Sequence, residues 1–241
     1  MQRTLSAEQI EAFYHNEFVI DQVRDFVELL PERSDQPLIV DIGGGCGFFA
    51  KQLADETSLQ VCVLDSDQQS IDTCVASGID ARLEDALEPR IVGNENVACF
   101  NLVLHHLVGA SEAETTKLQK QALEVWREQV RAMFVNEYIY ESYVGNLSGW
   151  LIFQITNSRI LSMLGRTISW FVPAFRANTF GIGVRFRAHR EWIDIFNAIG
   201  LSTDGIRIGE NEKIALPLRL LLIKSIRRDS YLLRPKTVQP R

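Results

Sequence analysis

Ile39-Val-Asp41-Ile-Gly43-Gly44-Gly45-Cys46-Gly47 decides the reading of this chain. The apolar run that leads into it, Leu38-Ile-Val-Asp41, is short and bounded by turn residues, which predicts a buried strand. The residues after the glycines predict a helix to about Glu56. A turn without Cβ atoms lets backbone approach a ligand, and the first amides of the helix point at it. Two common versions of such a turn fit poorly. Counted from Gly43, the sixth position of G-x-G-x-x-G is Phe48, so the third glycine of a dinucleotide site is missing. No Lys-Ser/Thr pair follows, which excludes a P-loop.

Outward from that stretch the pattern repeats. Leu59–Asp65 predicts a strand, Gln68–Ala76 a helix, Asp80–Leu83 a short strand, and Val97–His105 a strand. Ser111–Gln129 predicts a helix opened by a capping box (Ser111, Glu114), and Ala132–Tyr138 a fifth strand. Strands alternating with helices mean βαβ units and a parallel sheet covered on both faces. After an apolar, partly helical insertion comes a helix from Arg190 to Ile199. Two strand-like runs follow, Asp204–Ile208 and Leu218–Ser225, and their short linker predicts antiparallel pairing. The fold class is therefore α/β, a Rossmann-like, doubly wound, mainly parallel seven-stranded sheet with an antiparallel last strand. One domain is expected over residues 1–241: an N-terminal helical lid (1–34), a ligand-binding core (35–140), a helical insertion (141–187), the last helix and strand pair (188–226), and a frayed basic tail (227–241). Ser6 and Gln9 form a capping box at the start of the lid.

At 46% hydrophobic and 23% charged residues the composition is that of a globular chain. Cys46, Cys62, Cys74 and Cys99 contain no C-x-x-C pair, which fits reduced thiols, and no secretory signal opens the chain. A cytoplasmic protein is expected. Trp150–Phe175 is the most apolar stretch, but it carries Gln154, Asn157, Arg159 and Arg166, so no membrane span is predicted. The net charge of −6 is unevenly placed: residues 1–120 hold 8 Lys+Arg against 21 Asp+Glu, and residues 121–241 hold 17 against 10. An acidic protein is a poor generic nucleic-acid binder, and none is expected as a partner.

The glycine stretch matches D-x-G-x-G-x-G with Asp41, Gly43, Gly45 and Gly47 and resembles motif I of the class I S-adenosylmethionine-dependent methyltransferases. The resemblance covers about residues 35–140 and the terminal strand pair. It implies S-adenosylmethionine as cofactor and S-adenosylhomocysteine as product. It also implies that Asp41 helps position the cofactor's amino group, while Gly43, Gly44, Gly45 and Gly47 pass beneath its methionine and ribose. Asp65, 18 residues past Gly47 and followed by Ser66, ends the second strand, where a carboxylate can accept both ribose hydroxyls. Asp85 and Ala86 stand where the family meets the adenine. Phe100-Asn-Leu-Val-Leu104-His105-His106 stands where the family commonly has F-D-x-V, with Asn101 in place of Asp, and puts Leu104 and His105 beside the cofactor. Tyr14 on the N-terminal helix is expected to fold over it.

Methyl transfer from a sulfonium is an in-line displacement in which proximity and alignment supply much of the rate. A general base matters for a poorly ionised hydroxyl acceptor, by about 10²–10⁴-fold. His105 and His106, at the carboxyl end of the fourth strand, and Glu137, on the fifth, are the candidate catalytic residues; a histidine suits proton abstraction near neutral pH. In the resembling family the insertion after the fifth strand selects the acceptor. Here it offers Tyr140 and Trp150 for a ring, and Arg176, Arg185 and Arg187 for an anionic group. No carboxylate cluster follows the fourth strand, so no metal is expected. There is no Asn/Asp-Pro-Pro-aromatic motif of nucleic-acid amino methylation. A small, aromatic or partly anionic metabolite is the expected acceptor, methylated on O or N, with C or S open, by a monomer or homodimer. A protein or peptide methyltransferase, a non-catalytic cofactor-binding subunit and, more remotely, an NAD-dependent oxidoreductase remain as alternatives.

Overall fold

The computed structural model describes residues 16–30, 37–163, 167 and 183–236. In chain order the elements are α1 (Asn16–Leu29), β1 (Leu38–Ile42), α2 (Phe48–Thr57), β2 (Gln60–Asp65), α3 (Gln68–Ala76), β3 (Asp80–Leu83) and β4 (Glu95–Asn101). They continue with α4 (Glu112–Arg127), β5 (Ala132–Ser142), α5 (Leu147–Asn157), α6 (His189–Ala198), β6 (Leu201–Ile208) and β7 (Ile223–Pro235). The seven strands form one sheet in the order β3-β2-β1-β4-β5-β7-β6. β1 to β5 run parallel, and β7 is antiparallel to both β5 and β6.

Alternate residues of the central strands feed two cores. Ile39, Val97 and Cys99 face α1, α2 and α3, where Phe26 packs edge-on against Phe49 and Phe134. Val40, Ile42, Ala98 and Phe100 face α4 and α6, with Trp126, Trp192 and Phe196. Burial on both faces explains why these strands read as unbroken apolar runs.

Five segments depart from the sequence expectation, each for a physical reason, and β6 starts at Leu201 rather than Asp204 because its first residues pair with the end of β7. β4 stops at Asn101 rather than His105, because Leu102 takes a left-handed φ of 55° and donates its N–H to the Asn136 carbonyl. A 3₁₀ turn, Leu104–His106, follows. β5 runs on to Ser142 because β7 pairs with it along its length. The run Leu218–Ser225 is not one strand: Leu216–Leu221 is a 3₁₀ turn opened by Pro217, and the strand starts at Ile223.

The expected frayed tail is the largest correction. Arg227–Pro235 belongs to β7, inside the sheet, with Tyr231 and Leu233 fully buried. Its polar residues have partners far away in sequence. Ser230 donates to Asp25 at 2.8 Å and accepts from the Asn136 amide at 2.7 Å; Arg228 reaches Asp21. The described part of the N-terminal segment, α1, lies flat against the sheet and pins itself there through Gln22 to Asn136. Tyr14, the Ser6–Gln9 box and Arg176 lie outside the described residues.

Truncation after Ile226 removes most of the strand that joins β5 to β6. It is expected to abolish the cooperative unfolding transition in circular dichroism, whereas loss of a frayed tail would leave the midpoint unchanged.

Candidate functional site

The carboxyl ends of β1, β2, β4 and β5 bring most of the candidate residues together. Gly43, Gly45 and Gly47 all adopt left-handed φ, between 54° and 77°, which only glycine takes without strain. The loop is held down by Gly43 N–H to the Leu64 carbonyl at 2.7 Å and Gly47 N–H to the Gly44 carbonyl at 3.0 Å. A Cβ at Gly43 would strike Val103, and one at Gly44 would strike the Asp41 carboxylate, while the space beside Gly45 is open. Gly47 is the N-cap of α2 and offers no side chain to its first amides.

Asp41 is buried beneath this loop. Its Oδ1 accepts from the Asn101 amide at 3.0 Å, and its Oδ2 has no hydrogen-bond partner among the described residues. Burial raises its pKa from 3.8 to about 7, against the lowering effect of Asn101, and the nearby Asp65 adds a smaller rise. Asn101 thus explains the departure from F-D-x-V: an aspartate there would set a second carboxylate against Asp41, whereas the amide donates to it.

Asp65 accepts from Gly45 N–H at Oδ2 and from Asp67 N–H at Oδ1, each at 2.9 Å, so it joins the glycine loop to the start of α3. Desolvation raises its pKa. Ser66 beside it is exposed. Asp85 is exposed and accepts from Leu87 N–H, and Ala86 is buried in the core under α4.

Leu104 and His105 are buried in the 3₁₀ turn after β4. Fully buried Glu137 holds them both: Oε1 accepts from Leu104 N–H and Oε2 meets His105 Nδ1, each at 2.7 Å. His105 Nε2 has no hydrogen bond among the described residues. His106 packs on His105, with ring centroids 4.2 Å apart. Burial, and then His105, hold its pKa well below the usual histidine range. Of the two histidines, His105 is therefore the one equipped with an orienting carboxylate, and His106 stays neutral at pH 7.

Tyr140 stacks on Phe186 at 4.3 Å, and burial pushes its phenol pKa up. Trp150 lies on α5 and is partly exposed. Arg185 and Arg187 are not presented to solvent as an anion site. Both are buried and turned onto Glu112 and Glu191, at 2.7 and 2.8 Å for Arg185 and 3.0 and 3.2 Å for Arg187. Phe186, which lies against the His105 ring, and Gln119, which donates to the Leu104 carbonyl, carried no sequence signal. Among the described residues no group of three or more His, Cys, Asp or Glu could hold a metal ion.

No family model and no curated protein matches the sequence. Solved structures do match. Magnesium protoporphyrin IX methyltransferase (ChlM) from Synechocystis PCC 6803, with bound S-adenosylhomocysteine, superposes with a TM-score of 0.55 at 12% identity, over 97% of this chain and 90% of that one. Geranyl diphosphate C-methyltransferase from Streptomyces coelicolor A3(2) gives 0.56 at 11% identity, over 90% and 79%. The [4+2]-cyclase SpnF gives 0.57 at 12% identity, over 90% and 82%. This is the fold of the class I S-adenosylmethionine-dependent methyltransferases. The strand order of this chain brings Asp41, Asp65 and His105 to the carboxyl ends of the neighbouring strands β1, β2 and β4.

The raised pKa of Asp41 has a stability consequence. The folded protein holds this proton more tightly than the unfolded chain does, so stability falls as pH rises from about 4 to about 7. Asp41→Asn in the ligand-free protein is expected to raise the melting temperature at pH 8, by about 2–4 °C per kcal/mol recovered. At pH 4 it should leave it unchanged; thermal scans at the two pH values check this.

Proposed function

We propose that the chain is an S-adenosylmethionine-dependent methyltransferase that acts on a hydroxyl or nitrogen of a small, ring-containing acceptor. The observation that carries the reading is Asp41: a buried carboxylate, half satisfied among the described residues, under a turn in which a Cβ at Gly43 or Gly44 would clash and the space beside Gly45 is open. Such a group fits a ligand bearing an ammonium, and Asp65 keeps lone pairs free for vicinal hydroxyls. When bound, the cofactor supplies an electrophilic methyl group. Asp41 and the loop amides would hold its amino-acid end, Asp65 its ribose, and Asp85 and Ala86 its base.

His105 supplies the acid–base function. With Nδ1–H directed at Glu137, the lone pair of Nε2 is left to take the acceptor's proton as its oxygen or nitrogen bonds to the methyl carbon. Glu137 fixes the tautomer and balances the imidazolium. His106 beside His105 stays neutral, and Tyr138, edge-on to the His105 ring, keeps its phenol protonated, burial pushing its pKa up to about 12.

The same fold serves a protein named as a cyclase, so cofactor binding without methyl transfer is the competing reading. Incubation with S-adenosylmethionine and a panel of phenols, aromatic acids and aromatic amines is expected to release S-adenosylhomocysteine with one member at least. His105→Ala should lower that rate about 10²–10⁴-fold while S-adenosylhomocysteine affinity stays within about threefold. Binding without product across the panel favours the competing reading, and no binding removes both.

A further inference from the structure

Arg185-Phe-Arg187 is an extended segment whose first and third side chains point one way and whose second points the other. It lies beside β5, with Ile139 bridged to Arg187 and Tyr140 N–H donating to the Arg187 carbonyl at 3.1 Å. Burying two guanidinium groups is costly, and an apolar pair of similar volume would stabilise the fold as well or better. Here every charge is matched. Glu112 at the start of α4 and Glu191 at the start of α6 each bind both arginines, and Arg187 also donates to Thr116 at 2.8 Å. Gly149 on α5 leaves room for the Phe186 carbonyl on the outer side. The segment is locked in place from three helices.

What the lock holds is the turn that carries His105. Arg185 N–H donates to the His105 carbonyl at 2.9 Å. Arg187 Nε donates to Gln119 Oε1 at 2.7 Å, and Gln119 Nε2 donates to the Leu104 carbonyl at 3.0 Å. Phe186 lies against the His105 ring, centroids 4.9 Å apart and planes 31° from parallel, and Tyr140 stacks on Phe186. Tyr138 meets both rings edge-on, at 6.2 and 6.1 Å. His106, His105, Phe186 and Tyr140 thus form a continuous row of rings.

We propose that Phe186 and Gln119 are positioning residues for His105, and that the buried arginine pair exists to hold them. This rests on the reading of His105 as the proton acceptor. Glu137 fixes the edge of the imidazole and Phe186 fixes its plane; Gln119 fixes the backbone carbonyl that precedes it. Together they set the direction of Nε2. A displacement of about 1 Å at a reacting group can cost about 10²-fold in rate, so the arrangement matters to turnover as well as to folding.

The test observes His105 itself and needs no acceptor. Imidazole ¹⁵N spectra are recorded across pH on the full chain saturated with S-adenosylhomocysteine, for wild type, Phe186→Leu, Gln119→Met and Phe186→Tyr. The groups facing His105 are Glu137 and Tyr138 from β5 and His106 from its own turn. Behind it lie the Arg185–Arg187–Glu112–Glu191 cluster and Gln119 from α4 and α6. Wild type and Phe186→Tyr are expected to show one tautomer, hydrogen on Nδ1. Phe186→Leu and Gln119→Met should each mix the tautomers, drawing the Nδ1 and Nε2 shifts of His105 toward each other. One removes a ring contact and the other two hydrogen bonds, so a single misfolded variant does not decide the result. If both variants bind S-adenosylhomocysteine as wild type does and keep its single tautomer, the positioning role is overturned. That outcome leaves the methyltransferase reading intact. Failure of wild type to bind S-adenosylhomocysteine would instead strike that reading.

Discussion

The hydrogen bond from Asn101 to Asp41 closes the point at which the sheet changes direction. From β1 the strand order runs one way through β2 to β3 and the other way through β4 to β5, so the connections leaving β1 and β4 part to opposite faces. A crevice opens at such a switch, and ligands of open α/β sheets bind there. The two side chains that line it are a buried carboxylate with one unsatisfied oxygen and the amide that partly satisfies it. An apolar pair would be less costly to bury, so the pair makes sense as half of an interaction whose other half is a cation from outside. The glycine loop above, Asp65 beyond it and the histidine turn opposite all take their places from this crevice.

The same economy runs through the second half of the chain. Several of its described arginines are paired inside the fold or across the sheet. Arg185 and Arg187 pair with Glu112, Arg207 with Asp25 and Glu28, and Arg228 with Asp21. Acidic first half and basic second half interlock across the sheet, with much of the imbalance meeting in these pairs. The partly exposed ones contribute little to stability, while the buried ones fix geometry. The two described arginines expected to grip an acceptor, Arg185 and Arg187, are therefore committed to Glu112 and Glu191 inside the fold.

How much of this the sequence carried depends on the range of the interactions. The strand–turn–helix unit from Leu38 to Glu56, the helix Gln68–Ala76 and the strand Asp80–Leu83 follow from local periodicity and turn chemistry, and they were legible to within a residue or two. So were the glycine loop and Asp65, because their spacing lies within one βαβ unit. The tail was misread because Arg227, Arg228 and Ser230 look solvated until partners as distant as Asp21 and Asp25 are folded against them. The early end of β4 was hidden for the same reason, since Glu137 shapes that turn from 33 positions away. Arg185 and Arg187 read as an anion site because Glu112, which binds both, lies 73 and 75 positions away, and nothing local shows that Glu191 turns toward them. Local pattern reached the glycine loop and Asp65; only packing could show that Arg185 and Arg187 are paired inside the fold.

The central claim is that Asp41 awaits a cationic ligand group, and the pH dependence of binding tests it most directly. Ligand-free Asp41, with its pKa near 7, must ionise before it can pair with the amino group of S-adenosylhomocysteine. Calorimetric affinity is therefore expected to tighten about tenfold between pH 6 and pH 8 in the wild type, and to stay flat in Asp41→Asn. Equal affinity at both pH values in the wild type, or uptake of NAD in place of S-adenosylhomocysteine, would contradict the account.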